Sequence, residues 1–165
     1  MSVITLKRSK KDELTHLEHI EEAAFAVNSR YFENGVLPPF SEEERTACTL
    51  AASFECDDAA VFSIYADNER VGGAVVQSLT HDEREIVLFF LAPSCQGKGV
   101  GQRALNALEA EFPETKVWRL IMPTQVLRNA VFYVNKCGYY IVQIDAYDKE
   151  KESGMFIFEK RKEIG

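Results

Sequence analysis

The sequence predicts an α/β domain of the α+β type: a mixed, mostly antiparallel sheet of about seven strands flanked by about four helices. Two observations carry this prediction. Apolar residues switch between helix-like and strand-like spacing along the chain, without the regular strand–helix alternation that builds a fully parallel doubly wound sheet. Three strand-like stretches also follow one another between Ala60 and Leu91, separated only by turn residues, as in an antiparallel meander. A chain of 165 residues corresponds to about one domain, taken as 1–165, and is long enough to bury a core without staples.

The elements follow in order. Val3–Lys7 reads as a first strand. Ser9-Lys10-Lys11-Asp12 resembles a capping box, and Leu14, Leu17, Ile20, Ala24 and Val27 then recur at near-helical spacing. The stretch from Asn28 to Phe40 contains Asn34-Gly35 and Pro38-Pro39 and reads as loop. Ser41-Glu42-Glu43-Glu44 signals a second helix, with Ala47, Leu50, Ala51 and Phe54 on its buried face. Ala60–Ala66 and Val71–Ser78 form a hairpin around Asp67-Asn68-Glu69-Arg70. Gly72-Gly73 within the hairpin marks a bulge or a close approach by another backbone. Glu85–Leu91 is the next strand. The pattern Val100, Ala104, Leu105, Leu108, Phe112 is a helix, Lys116–Met122 a strand, and Val126–Asn135 a helix. Tyr139–Ala146 and Gly154–Lys160 close the domain as an antiparallel pair. Leu88, Phe90, Leu105, Leu108 and Trp118 are expected to form the core that joins the central sheet to the helix after Leu91.

Composition narrows the function classes. Apolar residues make up 46% and charged residues 27% of the chain, and the net charge is −7. That acidity argues against a nucleic-acid surface, which needs a basic stripe. It suits a cationic or amine substrate, or solubility alone. No apolar run approaches the ~18 residues of a membrane span, and the N-terminus does not read as a signal peptide. Cys48, Cys56, Cys95 and Cys137 are scattered, with no His at ligand spacing. The expectation is neither zinc nor disulfides but reduced thiols in a cytoplasmic protein. His16, His19 and His81 have no Ser or Cys in a nucleophile setting, so a hydrolase triad finds no support.

The most informative run is Pro93-Ser94-Cys95-Gln96-Gly97-Lys98-Gly99-Val100-Gly101-Gln102-Arg103. It leaves a strand and opens a helix. Three glycines at alternate positions bare the backbone, whose N–H groups join the unpaired donors of the first helical turn. Such a site binds anions, above all phosphate or pyrophosphate. The spacing is not the Gly-x-Gly-x-x-Gly of dinucleotide sites, and no Lys-Ser or Lys-Thr follows to hold a nucleotide's magnesium. Gln96-x-x-Gly99-x-Gly101, preceded by Leu91-x-Pro93, resembles the acyl-CoA loop of the GCN5-related N-acetyltransferases.

The resemblance, which spans essentially the whole chain, implies a sheet splayed between its fourth and fifth strands, with acetyl-CoA lying in the opening. It implies transfer of the acetyl group to a primary amine by direct attack through a tetrahedral intermediate, without an acyl-enzyme. On this reading the amides of Gly97, Lys98, Gly99, Val100, Gly101 and Gln102 hold the pyrophosphate, with help from the Gln96 side chain. Lys98 and Arg103 are either further phosphate partners or solvated cations. The backbone of Phe89, Phe90 and Leu91 pairs with the pantetheine arm as if it were another strand. Acetyl-CoA serves as co-substrate and no metal is expected. The acceptor is a small-molecule or peptide amine, and a homodimer is an allowed assembly. A non-catalytic acyl-CoA-binding or regulatory module on the same fold is the alternative.

Arg128–Tyr139 is similar to the family's second cofactor segment, in which a helix Tyr beside the thioester sulfur protonates the leaving thiolate. Tyr133 is the candidate, with Asn129 the nearest match to the family's Asn. Tyr133 lies five residues before Gly138, where the family has four; counting back four lands on Val134. An extra residue in the turn after the helix, within Asn135-Lys136-Cys137-Gly138, would restore Tyr133; otherwise Tyr133 is a packed amphipathic residue. Glu85 stands where some members place a catalytic base, or is a strand-end charge beside Arg84. Tyr31, Phe32, Asn34 and Pro38-Pro39-Phe40 either line an acceptor pocket or pack a loop onto the core.

Overall fold

The computed structural model describes residues 1–28, 31 and 49–162. Its strands are β1 (Ile4–Arg8), β2 (Ala59–Ala66), β3 (Glu69–Ser78), β4 (Glu83–Leu91), β5 (Val117–Pro123), β6 (Tyr140–Asp148) and β7 (Ser153–Arg161). Its helices are α1 (Leu14–Ala26), α2 (Leu50–Phe54), α3 (Val100–Ala110) and α4 (Leu127–Cys137). The expected loop over 32–40 and the helix start at Ser41 lie outside the described residues; α2 begins at Leu50, after its N-cap Thr49.

Each element has a local cause. Leu17, Ile20 and Ala24 bury one stripe of α1. The 3-10 turn Lys11–Glu13 that precedes α1 starts differently from the expected capping box. The Lys10 N–H donates to the Glu13 carboxylate at 2.8 Å, while Ser9 is spent on a 2.7 Å hydroxyl contact with Ser63 of β2. Thr49 caps α2 by accepting from the Ala52 N–H at 3.1 Å. At the β2–β3 hairpin Asp67 and Asn68 both have positive φ, 51° and 69°, the backbone that a tight right-twisted hairpin requires.

The seven strands form one sheet in the order β1-β2-β3-β4-β5-β7-β6. Every neighbouring pair is antiparallel except β4 and β5. These two pair in parallel only at Glu83↔Val117, Arg84↔Trp118 and Glu85↔Arg119. From Ile86 to Leu91, β4 keeps β3 as its strand partner and leaves β5. The sheet therefore splits, with its apex at Glu85 and Arg119.

Two clusters of buried side chains lie on opposite faces of the sheet. On one face Leu17, Ile20, Ala24 and Leu50 of α1 and α2 pack against Val61, Val75 and Phe90. On the other, Val100, Ala104, Leu105 and Leu108 of α3 pack against Phe62, Val76, Ile86, Trp118 and Phe158. Phe112 bridges Phe62 and Trp118 by edge-on ring contacts at 5.9 Å each. Phe90, Leu105, Leu108 and Trp118 are buried as expected, but Leu88 is only half-buried. The β3–β4 ladder slips here: Ile86 faces Val76 while Leu88 faces Val75, which leaves Val87 unpaired as a bulge. Beyond the bulge Leu88 and Phe90 both pack on the α1 side, Phe90 buried and Leu88 half-buried.

The Gly72-Gly73 pair serves both expected purposes. The β2–β3 register slips beside Gly72, and a Cβ on Gly72 would lie 2.2 Å from the Phe90 carbonyl oxygen. A Cβ on Gly73 would lie 2.6 Å from the Phe90 ring. The glycines thus let the far half of β4 press against β3 where β5 no longer supports it.

Candidate functional site

The split in the sheet opens a cleft of about 740 Å³. Its walls are the end of β4, the loop after it, the first turn of α3, one face of α4 and the end of α1. Of the residues singled out in the sequence, Phe89, Phe90, Leu91, Gln96, Gly97, Gly99, Gly101, Gln102, Asn129 and Tyr133 line it.

The loop presents bare backbone to this space. Gly97 and Gly99 both have φ of 76°, a left-handed conformation that side chains resist, and a Cβ on either would meet no atom within 4 Å. Gly99 is the N-cap of α3 and has no side-chain cap. The first helical hydrogen bond there runs from Arg103 N–H to Gly99 O at 3.3 Å, so the amides ahead of it are free for a ligand. Gly101 has a different reason for being glycine: a Cβ would lie 3.1 Å from the Phe132 ring of α4. Val100 is buried, so only its backbone can serve the site, and Lys98 is exposed outside the lining. Arg103 points away, its guanidinium donating to the Ser2 carbonyl.

Two glutamines brace the cleft. Gln96 donates from Nε2 to the Leu91 carbonyl at 3.1 Å, and its Oε1 accepts from the Arg128 guanidinium on α4. Gln102 donates from Nε2 to the Lys136 carbonyl at 2.8 Å, near the other end of α4. The loop, β4, α3 and α4 are thereby tied into one frame.

The spacing of Tyr133 and Gly138 is resolved by the way α4 ends. Gly138 is the C-cap with φ of 80°, and its N–H reaches back five residues to the Tyr133 carbonyl. The Tyr139 N–H bonds to the same carbonyl at 3.0 Å, six residues on. This closing turn is one residue wider than the usual helix end and takes up the additional residue. Tyr133 faces the cleft, its ring edge-on to Phe132 at 5.1 Å and Tyr139 at 5.9 Å and tilted against Phe158 at 6.0 Å. Val134 is exposed on another side of α4. Burial, with a contribution from the Cys137 thiol, holds the Tyr133 pKa well above its ordinary value. Its hydroxyl makes no hydrogen bond among the described residues.

Glu85 sits at the apex of the split rather than in the cleft lining. The neighbouring Arg84 points to the α3 face, where its guanidinium bonds Thr115 at 2.5 Å and Glu114 at 2.7 Å. Glu85 therefore faces the α1 side, opposite Gln77 of β3 and Arg119 of β5. Burial raises its pKa, and Arg119 opposes the shift. Arg119 itself is shared with Glu159 at 3.1 Å and Glu83 at 3.6 Å. Tyr31 packs against the α3-side cluster. Phe32, Asn34 and Pro38-Pro39-Phe40 lie outside the described residues.

Sequence reasoning did not single out Phe25, Asn28, Arg128, Phe132 or Lys136, which also line the cleft. Arg128, Phe132 and Lys136 belong to the helix face that carries Asn129 and Tyr133, and helical spacing from those two positions would have found them. Among the described residues no helix is long and apolar enough to cross a membrane.

The arrangement can bind an extended molecule with an anionic end: bare amides at a helix start for the anion, and a strand edge for an amide-bearing arm. Known proteins share this fold. A solved acetyltransferase from Thermus thermophilus shares the fold with a TM-score of 0.74, at 15% identity over 98% of this chain and 100% of that one. The PaiA N-acetyltransferase from Thermoplasma acidophilum, solved in complex with coenzyme A, has a TM-score of 0.72, at 16% identity over 97% of this chain and 99% of that one. In sequence, the chain is 31% identical over 145 residues to the uncharacterized protein YrkN of Bacillus subtilis (strain 168), covering 85% of this chain and 75% of that protein. The family model of the acetyltransferase (GNAT) family matches residues 29–139. The chain belongs to the GNAT family of acetyltransferases.

Proposed function

We propose that this chain binds acetyl-CoA in the split of its sheet and transfers the acetyl group to a primary amine. One observation carries the reading: the bare-backbone loop at Gly97–Gly101 opens α3 beside the half of β4 that has lost β5. These features fit an anionic pyrophosphate and an amide-bearing arm respectively. Acetyl-CoA, when bound, supplies the thioester whose acetyl carbon the amine attacks directly.

The residues divide the work. The amides from Gly97 to Gln102 hold the anion, and the edge of Phe89–Leu91 aligns the arm. Tyr133 assists the departing sulfur. Its raised pKa keeps the hydroxyl protonated at neutral pH, whereas an ordinary thiol ionises near pH 8.5, on the order of the free cysteine value. Full proton transfer from Tyr133 to the thiolate is therefore uphill. The hydroxyl acts as a hydrogen-bond donor to the developing negative charge, which is worth about 10²–10³ in rate for a buried donor of this kind. Glu85, on the α1 side of the apex, accepts the amine's proton, directly or through water; its raised pKa makes it a better base than a solvated carboxylate. The free thiols of Cys56, Cys95 and Cys137 fit a reducing, cytoplasmic setting.

The test is release of coenzyme A from acetyl-CoA across a panel of small-molecule amines and peptide N-termini. Turnover with any member, absent when the amine is omitted, supports the reading. Tight binding of acetyl-CoA with no turnover on a broad panel would instead favour a non-catalytic acyl-CoA-binding module.

A further inference from the structure

We propose that Arg128 is the cation that binds the diphosphate of coenzyme A, and that Gln96 acts through Arg128 as a positioning residue instead of touching the phosphates itself. The inference rests on the acetyl-CoA reading above and names a residue for it that the glycine-loop pattern does not contain.

Charge distribution is the first ground. The chain carries 26 acidic and 19 basic residues, yet among the described residues the charged side chains lining the cleft are Arg128 and Lys136, both cations on α4. Arg70, Arg84, Arg119, Arg161, Lys11, Lys116 and Lys160 each pair with a carboxylate. Among the described residues Arg128 pairs with none. In a protein of net charge −7, this α4 wall, with two cations and no acid among the described lining residues, is a local reversal of sign suited to an anion.

Geometry is the second ground. Both polar atoms of the Gln96 amide have protein partners. Its Nε2 donates to the Leu91 carbonyl at 3.1 Å, and its Oε1 accepts from the Arg128 guanidinium. A primary amide has two donor hydrogens and one oxygen: the oxygen cannot serve a phosphate, which needs donors, and with one hydrogen given to Leu91 the amide keeps a single donor where the guanidinium keeps several. Gln96 instead holds Arg128 on the wall of the cleft that Gly97 and Gly99 also line, and the guanidinium N–H groups not given to Gln96 remain donors for an anion there. The location is otherwise unfavourable. Arg128 stands in the first turn of α4, where a cation opposes the positive end of the helix dipole; a bound dianion relieves that opposition.

The test is calorimetric binding of coenzyme A, 3′-dephospho-coenzyme A and pantetheine to the unsubstituted protein, Arg128→Gln, Gln96→Ala and the double variant, at two salt concentrations. Arg128 is exposed, so its replacement leaves the core intact, which an unchanged melting temperature verifies. Loss of one charged hydrogen-bonding partner should weaken coenzyme A and its 3′-dephospho form by the same factor, about 10- to 100-fold, and leave pantetheine unchanged. The salt dependence of binding should fall with it, which a purely structural loss would not produce. Gln96→Ala should weaken binding in the presence of Arg128 and do little once Arg128 is replaced. Unchanged affinity in Arg128→Gln overturns the inference. So does a loss confined to coenzyme A, which would assign Arg128 to the 3′-phosphate, and so do additive effects of the two substitutions. Failure of the unsubstituted protein to bind coenzyme A would overturn the acetyl-CoA reading itself, an outcome distinct from all of these.

Discussion

The two halves of β4 behave as different structures. Over Glu83–Glu85 the strand is charged, and it pairs with β3 or its turn on one side and with β5 on the other. Over Phe89–Leu91 it is apolar, pairs with β3 alone, and borders the cleft. The first half closes the sheet with an ion-pair cluster around Arg119; the second opens it. The difference shows how one strand can be both scaffold and the edge of a cleft. The open half has no β5 to hold it, so its position depends on the Gly72-Gly73 contact behind it and on the Gln96 brace at its end.

The largest expected effect breaks the support common to both halves. Leu108 of α3 is fully buried at the centre of the cluster that includes Ile86 from β4 and Trp118 and Leu120 from β5. Leu108→Ala should cost about 2–5 kcal/mol, measured by denaturant unfolding. A midpoint unchanged from the parent would mean that α3 does not hold the split sheet together. Next, Tyr133→Phe acts only on the open side. It should lower kcat about 10²–10³-fold with little change in the KM for acetyl-CoA, since the ring and its contacts stay. Parental turnover would reduce Tyr133 to a packing residue.

How far the sequence carries this picture differs along the chain. The glycine loop was legible because its constraint is a backbone one and only glycine meets it; Gly97 and Gly99 show it in their positive φ. Element order was legible for a similar reason, since apolar period reports directly on which face is buried. The bulge at Val87 was not legible: Ile86–Leu91 is apolar throughout, so no alternation marks the slip. Nor was the wide turn closing α4, because a backbone carbonyl accepting two bonds leaves no residue signature. The Gln96–Arg128 contact joins positions 32 apart in sequence, a distance that local spacing cannot report. Phe32, Asn34 and Pro38-Pro39-Phe40 remain expectations from sequence.

Two smaller effects sharpen the contrast. Gly72→Ala places a Cβ against the Phe90 carbonyl and the Leu91 side chain. The backbone must move, at about 1–3 kcal/mol, and the open half of β4 moves with it. Binding of acetyl-CoA should weaken in the folded variant, and unchanged affinity would show that the edge of β4 is not part of the site. At the closed half, Glu85 must be ionised to take a proton. Because burial raises its pKa, kcat/KM should fall as pH is lowered through a midpoint above the ordinary carboxylate range. Glu85→Gln should reduce the rate and remove that acidic limb. A limb that persists in Glu85→Gln assigns it to another group.

On the proposed function, the open half of β4 receives the cofactor as a substitute strand. Amide hydrogen exchange with and without acetyl-CoA tests it most directly. Those amides of Phe89–Leu91 that β3 leaves unpaired should exchange more slowly when acetyl-CoA is added, together with the amides of Gly97–Gln102, while Glu83–Glu85 should change little. Protection that leaves Phe89–Leu91 untouched, or that falls instead on Glu83–Glu85, would contradict the account.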